Sequence, residues 1–129
     1  MTIFSKIIKG DIPSYRVAED DHFLAFLDIH PLRKGHVLVI PKTEIDKFFD
    51  LGTEYLSRIL LFAQPIARAI EKSFSCDRCG IAVVGLEVPH AHMHLVPIDH
   101  IGDLNFTRPK LKLSEEEFRS VQERIIGNL

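Results

Sequence analysis

Between Pro89 and Pro97 the chain alternates histidine with apolar residues: His90-Ala91-His92-Met93-His94-Leu95-Val96. A period of two belongs to a half-buried β-strand, whose successive side chains point to opposite faces. The segment predicts a strand over 90–96, with His90, His92 and His94 on one face and Ala91, Met93 and Leu95 toward a core. Along such a strand successive imidazoles stand roughly 7 Å apart. A chain built around it needs a sheet with one face given to packing and the other to chemistry.

The rest of the pattern supplies the packing. Ile3, Ile7 and Ile8 predict a short helix that stops at Gly10, with Pro13 following. Tyr15–Ala18 and His22–Leu27 read as strands around the acidic turn Glu19-Asp20-Asp21, and His36–Ile40 as a buried strand ended by Pro41. From Leu51 to about Phe74, Leu56, Ile59, Leu60, Ala63, Ile66, Ala67 and Ile70 recur at helical spacing. They predict one long helix, N-capped by Thr53 and kinked at Pro65. Gly80–Val84 is a further strand. Ser114 to Glu117 reads as a capping box, Leu113 and Phe118 as a hydrophobic staple, and Val121 and Ile125 continue the stripe, so a last helix is expected at about 114–126. This order predicts an α+β domain on a mostly antiparallel sheet, and 129 residues are enough for one domain, 1–129, with its own core.

Charge and composition exclude several classes. Sixteen Lys and Arg against 18 Asp and Glu leave no basic excess, so a general nucleic-acid binder is not expected. No apolar run approaches the roughly 18 residues that span a bilayer, and Lys6 and Lys9 interrupt the N-terminus where a signal peptide would need a continuous apolar region. With only Cys76 and Cys79, a cytoplasmic location is expected. Cys76-Asp77-Arg78-Cys79 lacks a second ligand pair and reads as two reduced thiols. Arg108, Lys110 and Lys112 read as a solvated basic stretch.

Three histidines on one face admit two chemistries. Neutral imidazoles ligate zinc, and they also attack phosphorus while neighbours bind oxygens and shuttle protons. Spacing alone does not separate these.

The flanking sequence bears on the choice. Val88-Pro89-His90-Ala91-His92-Met93-His94-Leu95-Val96 resembles the histidine triad signature of the HIT superfamily. Phe4 to Pro13, Ala25 to Pro31 and Gly35 to Lys42 resemble further segments of that family, so the resemblance covers about residues 3–98 and leaves a C-terminal extension. It implies a HIT-like α+β fold: a five-stranded antiparallel sheet with one long helix and shorter helices, the sheet continuing across a homodimer. It also implies an enzyme, a nucleotide hydrolase or transferase acting at the α-phosphate of a purine nucleoside phosphoramidate, an aminoacyl-adenylate or a dinucleoside polyphosphate. His92 would be the nucleophile and form a nucleotidyl-histidine. The His90 carbonyl would fix its tautomer, His94 would hold a phosphate oxygen, and His36 would buttress the cluster. Phe4, Phe26 and Ile29 would line the base pocket and Asp28 would accept from the ribose hydroxyls. No metal or cofactor is implied. A nucleotide-binding regulatory module with little turnover and a metal-dependent hydrolase are the competing readings.

Two departures stand out. The family usually has Gly-Gln and a small polar residue ahead of the triad, where this chain has Gly85-Leu86-Glu87-Val88. Glu87 is thus a candidate modulator of leaving group or phosphate. The zinc-binding subset has Cys-x-x-Cys near the N-terminus and a histidine after Pro-Lys, and here those positions hold Thr2, Ser5 and Glu44.

Overall fold

A computed structural model describes residues 1–129. Five strands, β1 (Arg16–Glu19), β2 (Phe23–Leu27), β3 (Val37–Pro41), β4 (Arg78–Ala82) and β5 (Met93–Ile98), form one sheet in the order β1-β2-β3-β5-β4. Every neighbouring pair is antiparallel. Helices α1 (Ile3–Lys9), α2 (Thr53–Leu56), α3 (Ile59–Ser73) and α4 (Glu115–Gly127) cover it.

Both faces of the sheet are covered, which is why β2 and β3 are apolar throughout and fully buried. On one face Phe23, Ala25, Leu27, Val37, Val39, Met93 and Leu95 pack against Ile59, Ala63, Ile66, Ala69 and Ile70 of α3 and against Phe118, Val121 and Ile125 of α4. On the other, Leu24, Phe26, Leu38 and Ile40 pack against Phe4 and Ile7 of α1. Leu38 pairs with His94 and Val39 with Met93, so His94 lies on the α1 face and Met93 on the α3 face. The alternation predicted for these residues is present.

The expected strand over 90–96 begins only at Met93. Upstream, the polar groups of the chain find partners outside the ladder: His90 N–H donates to Val88 O at 2.8 Å, Ala91 N–H to Ile45 O at 2.7 Å, and the His90 carbonyl accepts from the His92 ring. Only His94 of the three therefore stands on a strand, and the His92 and His94 rings are 5.1 Å apart, closer than strand spacing predicts. The strand expected at Gly80–Val84 is likewise Arg78–Ala82. Ala82 pairs with His94 next to the start of β5, so Val83 and Val84 have no partner to extend along.

The predicted long helix is divided. α2 ends at Leu56, and Arg58 N–H closes a tighter turn on Tyr55 O at 3.2 Å before α3 begins. Ser57, whose hydroxyl competes for backbone partners, is a weak continuation point. Gly52 rather than Thr53 holds the N-cap position, and Pro65 lies inside α3 without ending it. Because α3 takes its phase from Ile59, Leu56 and Leu60 are exposed rather than in the core. The chain ends as its capping box predicts. Ser114 Oγ accepts from Glu117 N–H and Glu117 Oε1 from Ser114 N–H, both at 3.1 Å, with Leu113 packed beside buried Phe118. Ser73 Oγ donates to Ala69 O at 2.7 Å within α3 and accepts from Asn128 Nδ2 at 2.9 Å, joining the end of α4 to α3.

Candidate functional site

Four buried imidazoles gather where β3 and β5 meet the turn after Val88. His36 enters from Gly35, whose φ of 101° is open to glycine but strained for other residues. It sits next to β3 with the parity of Leu38, on the face that carries His94.

Hydrogen bonds set the tautomer of each ring. Leu32 N–H donates to His36 Nδ1 at 3.0 Å, so neutral His36 carries its proton on Nε2. That Nε2 is 2.9 Å from His94 Nδ1 and donates to it, which leaves the His94 proton on Nε2. His92 Nδ1–H donates to the His90 carbonyl at 2.7 Å, so the lone pair of His92 is on Nε2. His90 Nε2–H donates to Pro41 O at 2.9 Å, and its Nδ1 lies 3.4 Å from Thr2 Oγ1. Ser14 Oγ is the one buried side-chain polar atom without a partner, so the unbonded Nε2 atoms of His92 and His94 are open to solvent.

Burial favours the uncharged rings. It lowers His36 to about 3 and His94 to about 4, and lowers His90 as well. The site thus presents Nε2 of His92 beside an N–H donor on His94.

Phe4 meets the rings of His92 at 5.1 Å and His90 at 5.8 Å edge-on, and Phe26 at 5.7 Å. Both phenylalanines are buried, whereas Ile29 is exposed. Asp28 follows β2, with Oδ1 accepting from His30 N–H at 2.8 Å and Oδ2 3.5 Å from His36 Nε2. Its burial raises the carboxyl pKa. Glu87 and Leu86 are exposed in the turn ahead of His90, and Glu87 makes no ion pair. The side chain expected to modulate leaving group or phosphate thus faces solvent.

The triad histidines do not form the group best placed for an ion. Asp28, His36 and His94 do, with donor atoms within 4.8 Å of one another. An ion there would displace the proton that His36 and His94 share. Cys76 and Cys79 are free, and burial pushes both thiols up, Cys79 to about 12, which disfavours the thiolate a metal needs.

Residues 9–101 match the family of the HIT domain. The chain belongs to the HIT family. Its HIT relatives include the adenosine 5'-monophosphoramidase hnt1 of Schizosaccharomyces pombe, 36% identical over 130 residues, covering 98% of this chain and 97% of the relative. A HIT-like protein of Borreliella burgdorferi is 37% identical over 135 residues, covering 98% and 97%. Among solved structures, a HIT-like protein of Bartonella henselae superposes with a TM-score of 0.86 at 32% identity, covering 99% of this chain and 96% of that one.

Within this HIT site the sequence reading missed two groups of residues. Thr2, Ser5 and Glu44, noted only for the cysteines and histidine they replace, form a hydrogen-bonded cluster on His90. Glu44 Oε1 accepts from Thr2 N–H at 2.9 Å and from Ser5 Oγ, and Thr2 Oγ1 contacts Ser5 Oγ at 3.3 Å as well as His90. The spacing Thr2-x-x-Ser5 was the available signal, since it matches the metal-ligand positions of the family. Phe106 comes from the C-terminal extension and packs on His94 at 4.6 Å and on His36 at 6.2 Å. No local signal marks it.

Proposed function

We propose that this protein is a hydrolase or transferase of purine nucleotides, cleaving the bond between the α-phosphate and its leaving group through a covalent intermediate on His92. The observation that carries this reading is the 2.7 Å bond from His92 Nδ1–H to the His90 carbonyl, which puts the lone pair of the neutral ring on the open Nε2. Two yeast relatives named as adenosine 5'-monophosphoramidases support a phosphoramidate substrate.

In this reading Nε2 of His92 attacks phosphorus and the P–N bond breaks, its electron pair leaving on the amine. The amine takes up a proton. The positive charge that develops on the His92 ring is held through Nδ1–H by the His90 carbonyl, and His94 Nε2–H donates to a non-bridging oxygen. Water then displaces His92 from phosphorus and returns the proton that the amine took. Ile29 offers exposed apolar surface for the base, Asp28 retains lone pairs for the ribose hydroxyls, and Phe4, backed by Phe26, steadies the rings of His90 and His92.

Incubation with adenosine 5'-phosphoramidate followed by acid quench and mass spectrometry should place an adenylyl group on His92. His92→Asn should abolish the adduct and reduce turnover by at least about 10³-fold. Turnover with no adduct on any histidine would refute the covalent route, and tight binding without turnover would favour the alternative of a binding module.

The same reading includes a homodimer. β4 is an edge strand, and Ile81 on it, with Leu60 and Leu61 on α3, forms an exposed apolar surface around Ala67 and Cys79. An uncovered edge flanked by apolar side chains suits pairing with a second copy. No helix is long and apolar enough to cross a membrane, and two unpaired thiols suit the reducing cytoplasm.

A further inference from the structure

Burial keeps His36, His90 and His94 neutral, yet the reaction proposed above brings in an anion. A phosphate held only by neutral groups beside the Asp28 carboxylate lacks a compensating charge. The extension after β5 provides one. Leu111 N–H donates to Pro31 O at 2.9 Å, which ties this segment to the loop that follows Asp28, while Phe106 packs on His94. Between them is Lys110, half-buried, its Nζ donating to Phe106 O and to Arg108 O at 3.1 Å.

Its lack of a counterion sets Lys110 apart. Four cationic side chains in the protein are half-buried. Arg16 pairs with Glu19, Arg33 with Asp99 and Asp103, and Lys42 with Glu19. Lys110 has no carboxylate within ion-pair distance. Two carbonyls use two of its three N–H donors, which leaves one N–H of a fixed ammonium for an anion. Its charge is also felt at Asp28, His36 and His94, favouring the deprotonated form of each. Its neighbours in the basic run differ: Arg108 and Lys112 are exposed, and Arg108 reaches Asp103 at 4.0 Å.

We propose that Lys110 is a substrate-binding residue, a cation carried into the site by the C-terminal extension to take an anionic oxygen of the nucleotide's phosphate. This rests on the nucleotide reading of the site. It makes the enzyme select for charge on the phosphate, because an ammonium N–H bonds a charged oxygen more strongly than a neutral one.

Calorimetric titration of the full-length protein with AMP and with adenosine tests this, since the two ligands differ only in the phosphate. In Lys110→Met, AMP affinity should fall at least about tenfold while adenosine affinity stays within about twofold. Lys110→Arg should restore AMP binding to within about threefold of wild type, and the preference of wild type for AMP should shrink with added salt. Equal losses for the two ligands in Lys110→Met would mean that the lysine only supports the loop, and an unchanged AMP affinity would mean that it does not meet the phosphate. Either result overturns the proposal and leaves the nucleotide reading standing. A wild-type protein that bound neither ligand would overturn both.

Discussion

His36 and His94 share one proton between facing nitrogens, and a backbone N–H at Leu32 decides which ring holds it. This arrangement works only while both rings are neutral, and burial keeps them so to about pH 3 and about pH 4. In the unfolded chain the same rings take up protons as pH falls through about 6.5. Native stability is therefore complete above about pH 6.5 and is lost as pH falls toward 4, by about 1.4 kcal/mol per pH unit for each ring in that window. Asp28, raised by burial, acts with the opposite sign, but one carboxyl opposes two rings and offsets only part of the slope. Urea midpoints should drop clearly between pH 7 and pH 5, and equal midpoints would show that the native rings are not held neutral. Thr2 acts on the neighbouring ring. Thr2→Val removes the hydroxyl contact to His90 and the cap on Ser5 N–H, at about 1 kcal/mol of stability for the cap. If the contact also orients His90, kcat should fall with KM unchanged and Thr2→Ser should restore it, whereas a purely structural role would leave kcat at the wild-type value in the folded fraction.

At the scale of elements, the most informative join is Gly35 to His36. A Cβ at Gly35 would lie 2.7 Å from the Phe74 ring and 3.3 Å from Pro97, at a φ of 101°. Gly35→Ala should cost more than about 2 kcal/mol in chemical denaturation, through clash and backbone strain together, and a cost near zero would mean that Phe74 yields freely. The parity of His36 and the alternation of Met93, His94 and Leu95 were legible in the sequence, because each follows from the period of a single strand. So were the caps at Gly10 and Ser114, which are local chemistry. The start of β5 was not, since it depends on where Val88 to His92 find their partners. One of these, Ile45, lies 46 residues from Ala91, and no window around the triad contains it. The division between α2 and α3 was missed for a different reason. Leu56 and Leu60 have the right spacing for a core stripe, but periodicity reports that a helix is amphipathic and does not locate a tightened turn within it.

At the scale of the whole molecule, the surface made by Ile81, Leu60 and Leu61 should hold two copies together. Sedimentation of the wild type should give twice the chain mass of 14.7 kDa, and Ile81→Lys combined with Leu61→Glu should give monomers. A monomeric wild type at micromolar concentration would remove this face as an interface. Segments from both ends of the chain complete the histidine sheet, one on each face. Phe4 and Thr2 touch His92 and His90, Phe106 rests on His94, and Phe118, Val121 and Ile125 complete the core beneath the sheet. In the order of synthesis all four histidines are complete at the end of β5, before Phe106 can cover His94 and before α4 can pack beneath the sheet.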